Sequence, residues 1–120
     1  MGVYNNRKRK KSRTMEQTRH YAERNYRQTI IDSMGGAGKV ILTNVIDRGH
    51  INGAERFELT EKGIIYVYND GSNRLITILF ARVGQLYSRF GGKFESLPIA
   101  TQISVKTYCR EHQAKKLNEM

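Results

Sequence analysis

Two hydrophobic periods divide the chain. Met15, Ala22, Tyr26, Ile30 and Met34 recur at helical spacing and form one apolar stripe. The stripe predicts a helix that begins near Thr14, where Thr14 and Gln17 match a capping box. It should stop at Gly35-Gly36, with Gly38 just beyond, because glycine supplies the left-handed conformation that closes a helix. The period then changes from 3.6 to 2. VILTNVI (40–46) is β-branched and largely apolar, the composition of a buried strand. AERFELT (54–60) sets Phe57 and Leu59 against Arg56, Glu58 and Thr60. GIIYVYN (63–69) sets Ile65 and Val67 against Ile64, Tyr66 and Tyr68. RLITILFARV (74–83) is the most hydrophobic segment, and a central strand is expected there. DRGHING (47–53) reads as a loop, Glu61-Lys62-Gly63 as a short turn and Asp70-Gly71-Ser72-Asn73 as a second hairpin signal.

The C-terminal third has two readings. QISVKTYC (102–109) alternates as a strand would. SLPIATQISVKTYCREHQAKKL (96–117) also suits a helix, with Ser96 as N-cap and Ile99, Ile103, Val105, Cys109 and His112 roughly at helical spacing. The helix is preferred, because REHQAKKL is rich in helix formers and Lys115 and Lys116 complement the dipole at its end. The expected fold is α+β: an N-terminal helix, an antiparallel meander of about four strands, and a C-terminal helix, with the helices covering one face of the sheet. Residues 1–13 form a basic arm, and residues 14–120 a single domain.

Charge adds a partner to this picture. Arg7, Lys8, Arg9, Lys10, Lys11 and Arg13 lie in an arm without a single acid, so six units of the formal net charge of +10 are concentrated there. Such an arm has no core-forming pattern and is expected to be disordered when free. Dense cationic arms bind nucleic acid by neutralising phosphates and releasing counterions. No apolar run approaches the roughly 20 residues of a membrane span, and the N-terminus lacks the apolar region of a signal peptide and the myristoylation pattern. With one cysteine, Cys109, no internal disulfide can form, and a cytoplasmic setting is expected.

Candidate chemistry falls in two places. His20, Arg24, Arg27 and Ile31 lie within about 60° of one another on a helix. Arg24 and Arg27 there could grip one phosphate, because guanidinium pairs bidentately with its oxygens, and His20 could exchange protons near neutral pH. The same residues would equally suit a solvated helix side laced by Glu23–Arg27 and Glu16–His20 pairs. On the sheet, Arg56, Glu58, Tyr66 and Tyr68 share a face and Arg82 ends the last strand. Tyrosines that stack on bases and arginines that hold phosphates suit single-stranded nucleic acid. GGAGK (35–39) only superficially resembles a phosphate loop, since Val40 follows Lys39 and the segment closes a helix instead of opening one. No His/Cys group has metal-ligand spacing, and no metal or cofactor is expected. His50 and His112 read as exposed single histidines, and Cys109 as a core residue.

A helix bearing RHYAER, with His20 and Arg24 in an H-x-x-x-R arrangement, precedes antiparallel strands that end in ITILFAR. Over residues 18–90 this layout resembles the RelE/colicin D-like superfamily of small RNases and toxins, and uncharacterised phage and plasmid proteins of the same plan. The resemblance implies a four-stranded antiparallel sheet with helices on one face and an RNA-binding opposite face. It also implies metal-independent cleavage by basic residues with a histidine, tyrosine or glutamate as acid or base, which would bring His20, Arg24, Arg56, Glu58, Tyr66 and Arg82 near the cut phosphate. The long basic arm and the extended last helix depart from that plan. Three functions therefore stand: a nucleic-acid-binding module, with RNA or a ribonucleoprotein favoured over DNA; a phage-type regulator that docks on a host protein or nucleoprotein; and a RelE-like endoribonuclease with His20, Arg82 and Glu58 as catalytic candidates. Layout alone does not choose between them.

Overall fold

A computed structural model of the chain describes residues 22–47, 49, 51 and 53–119. The basic arm, the capping box at Thr14, His20 and His50 lie outside the described residues. The elements run α1 (22–33), β1 (Val40–Ile46), β2 (Glu55–Thr60), β3 (Ile64–Asn69), β4 (Arg74–Phe80), α2 (Val83–Phe90), α3 (Gly92–Glu95) and α4 (Ile99–Glu119). The strands form one antiparallel meander in the order β1-β2-β3-β4, so the expected α+β layout and four-stranded sheet are observed. Glu58 faces Tyr66 across β2–β3, and Tyr66 faces Ile78 across β3–β4.

The alternation within β2 and β3 builds the main core. Phe57, Leu59, Ile65 and Val67 point to one face and pack with Leu86, Phe90, Phe94, Val105 and Cys109 from α2, α3 and α4. The C-terminal segment is a helix and not a fifth strand. Its inward side is Val105, Cys109 and His112, while Ile99 and Ile103, read as part of the same helical series, are exposed. Ser96 ends α3 instead of capping α4. Residues 81–95, where strand was expected to run to Val83, contain two short helices broken at Gly91-Gly92. Gly91 adopts φ 55 and its N–H donates to Tyr87 O at 2.7 Å.

β4 is an edge strand, a correction to the central position its hydrophobicity predicts. It is rich in apolar residues because both its faces are covered: Ile76 and Leu79 join the main core, and Ile78, Leu75 and Phe80 join a second, smaller cluster with Ile31 of α1 and Ile64. The helices therefore divide between the two faces, where a single covered face was expected. β1, expected to be buried, is the other edge and has no fully buried residue.

The orientation of α1 is a second correction. Ile31 is 0% exposed and Tyr26 is 60% exposed. The side that carries Arg24, Arg27 and Ile31 docks, and the stripe through Ala22 and Tyr26 does not carry the contact with the sheet. α1 ends as expected, with Gly36 N–H donating to Ile31 O at 3.0 Å and positive φ at Gly35 and Gly36. Lys62 Nζ then caps the helix end, 3.2 Å from Gly36 O. GGAGK thus closes a helix ahead of a strand.

Cys109 is a core residue, as expected, and burial pushes its thiol up to about 11 from an ordinary 9.0. The raised value favours the neutral thiol in the folded state. Its contribution to stability is complete below pH 9 and is lost as pH rises through about 11. Relative to Cys109→Ala, the native chain should lose at most about 3 kcal/mol over that window in urea titrations. Alkylation at pH 8 should be limited by opening of the structure, and a native thiol that reacts like free cysteine would contradict this burial. No helix among the described residues is long and apolar enough to cross a membrane.

Candidate anion site at the sheet edge

An edge strand leaves alternate backbone carbonyls unpaired. Ala81 N–H donates to Gly63 O at 3.0 Å, so by antiparallel alternation Ile78 and Phe80 turn their carbonyls outward. Side chains from both flanking helices meet them. Arg27 Nη1 donates to Ile78 O at 2.5 Å and Gln113 Nε2 donates to Phe80 O at 3.0 Å. One turn earlier on α1, Arg24 Nη1 donates to Leu75 O at 2.6 Å. The Arg24 and Arg27 members of the ridge read from the sequence are thus donors that close the sheet edge. This explains why α1 docks by a polar side: a hydrocarbon surface laid there would bury carbonyls without partners.

Arg27 serves this seam with Nη1, which also approaches Thr77 Oγ1 at 3.4 Å. Its Nε and Nη2 make no hydrogen bond among the described residues. Here a cavity of about 140 Å³ opens, lined by Arg27, Arg82, Gln85 and Gln113 over Leu79 and Phe80. Arg82 sits at the N-terminus of α2 and is exposed. Gln85 holds the first turn of α2, accepting from Arg82 N–H at 2.9 Å through its side chain while its own N–H donates to Arg82 O at 2.9 Å. Among the described residues no acid lines this cavity. Two guanidinium groups and two carboxamides, which both donate, make a setting for a singly or doubly charged oxyanion.

A second cavity, about 170 Å³, lies between α1 and α4 and shares Arg27 and Phe80 with the first. Its remaining walls are mainly apolar and aromatic, with Tyr26, Ile30, Met34 and His112. His112 is 8% exposed, which corrects its reading as an exposed histidine. Its Nε2 lies 2.9 Å from Lys62 O, and its ring centroid is 5.3 Å from that of Phe80.

The sheet face holds the other predicted group. Arg56 is the hub of the β2 end: Nε meets Glu58 Oε2 at 3.1 Å, Nη1 meets Asp70 Oδ1 at 3.1 Å, and Nη2 bonds Asn73 Oδ1. The guanidinium also stands 4.6 Å from the Tyr68 ring centroid. Asn73 has φ 58, and the Arg56 contact ties down that left-handed corner of the β3–β4 turn. Tyr66 and Tyr68 are half-buried, and burial, then neighbouring negative charge, raises both phenols above their ordinary value.

Among the predicted residues, the fold brings together Arg27 and Arg82 and places Arg24 one turn along the same seam. Arg56, Glu58 and Tyr68 form a separate cluster on β2–β3, with Tyr66 beside it on β3. The catalytic candidates Arg82 and Glu58 are not neighbours, since β3 lies between β2 and β4; His20 lies outside the described residues. Gln85 and Gln113 were missed. Gln85 carries a sequence signal, three residues after the arginine that precedes a helix; Gln113 carries none. No group of three or more His, Cys, Asp or Glu side chains among the described residues is placed to hold a metal ion. No family model, curated protein or solved structure matches the chain.

Proposed function

We propose that the protein is a nucleic-acid-binding module that seats a backbone phosphate in the Arg27–Arg82 cavity while the basic arm neutralises phosphates alongside. RNA, alone or in a ribonucleoprotein, is the favoured form. The observation that carries the reading is the convergence of Arg27 and Arg82, far apart in sequence and from different elements, on one polar cavity. Arginine forks suit phosphate geometry, and the net charge of +10 supplies long-range attraction. The reading does not call on Arg56, whose donors already meet Glu58, Asp70 and Asn73. It also stops short of cleavage, which needs a base beside the gathered cations. Among the described residues Glu58 is instead paired with Arg56, and the raised phenols of Tyr66 and Tyr68 hold their protons at neutral pH.

Arg82→Ala tests the site, because Arg82 is exposed and outside the core. Titration of a labelled oligonucleotide against the protein at several salt concentrations should give a log–log slope shallower by about 0.7–1 in the variant. Arg74→Ala, at the far end of β4, is the comparison. Binding that ignores salt, or that is the same in Arg82→Ala as in the native chain, would overturn the proposal.

A further inference from the structure

We infer that the cavity between α1 and α4 takes one unstacked base, so that the protein selects single strands over duplex. This rests on the phosphate reading above and adds a base subsite to it. The two cavities share Arg27 and Phe80, which sets an aromatic-walled space directly beside the cationic one. A nucleotide has the same division, a flat π-system joined to an anion. Together the cavities lie at the small end of the roughly 300–1,000 Å³ typical of small-ligand sites.

The walls suit a ring. Phe80 and His112 stand 5.3 Å apart, tilted by 36°, and Tyr108 stacks behind His112 at 6.3 Å and 22°. His112 is held in place by its contact with Lys62 O, so this side is set before a ligand arrives. Tyr26, on the facing helix, presents an exposed ring at the mouth. Glu23 and Lys115 also line the cavity. A base in a duplex is stacked and paired, and extruding it costs a few kcal/mol, whereas a single strand supplies it freely.

The test compares a single-stranded RNA carrying 2-aminopurine, the same strand with one abasic position, and the corresponding duplex. The expected results are a fluorescence change on binding, tighter binding of the single strand than of the duplex, and loss of that advantage with the abasic strand. Tyr26→Ala removes one wall and Ile30→Phe fills the space; each should weaken single-strand binding about five- to a hundredfold, the range for one stacked base, and leave duplex binding unchanged. Equal binding of single strand and duplex, untouched by either variant but still dependent on salt and Arg82, overturns the base subsite and leaves the phosphate reading standing. Loss of salt-dependent, Arg82-sensitive binding altogether overturns both.

Discussion

Removal of residues 1–13 is expected to flatten the salt dependence of nucleic-acid binding more than any single substitution in the domain. The segment carries six cations and no acid. If each meets one phosphate of a single strand, the log–log slope falls by about 4, from about 0.7 per phosphate. The difference between full-length and truncated chains should therefore shrink by about 10²-fold between 50 and 200 mM salt. The same titration separates two contributions: if the arm and the cavity act on different phosphates, as proposed, truncation should leave the Arg82→Ala effect intact. A truncated chain with an unchanged slope would show that the arm does not touch nucleic acid.

Phe94→Ala should be the most destabilising of the simple core truncations. Phe94 is the largest of the fully buried side chains. It stands edge-on to Tyr87 at 5.4 Å, with Lys106 Nζ 6.0 Å from its ring centroid. It is also the single buried residue of the four-residue α3, which has too little backbone hydrogen bonding to hold itself. Loss of the ring costs about 3–5 kcal/mol, a large share of the roughly 5–15 kcal/mol typical of a domain. The urea midpoint should fall with little change in m, and Phe94→Leu should recover more than half of the loss. A cost below about 1 kcal/mol would mean that α3 is not anchored by this side chain.

The sheet was legible because the core-facing residues of β2 and β3 keep period 2. Phe57 and Leu59, then Ile65 and Val67, select one face, and the short turns at 61–63 and 70–73 leave no connection other than a meander. Two features escaped for a common reason. Helical arithmetic takes an apolar stripe as the docking side and treats arginines as solvated. At an edge strand the surface to be met is a row of carbonyls, and Arg24 and Arg27 satisfy it where Ala22 and Tyr26 could not. Likewise β4 looked central because sequence records how many of its faces are covered and not whether it has a neighbour on each side. The cavity that joins Arg27 to Arg82 depends on both facts. The docking of α1 on β4 is not encoded locally, so the two arginines could be singled out one by one but not assigned to one place.

The seam between α1 and β4 also bears on how the domain comes together. The meander grows by neighbouring strands with short connections, so its contacts are local. Arg24 and Arg27 reach carbonyls 51 residues away in sequence. Those acceptors line up only when β4, the last strand, has paired with β3. Closure of that long loop carries an entropic cost that the seam must offset, so the docking of α1 is expected to follow the pairing of β4 with β3. A partly formed sheet therefore has neither cavity, and the candidate site exists only in the completed domain.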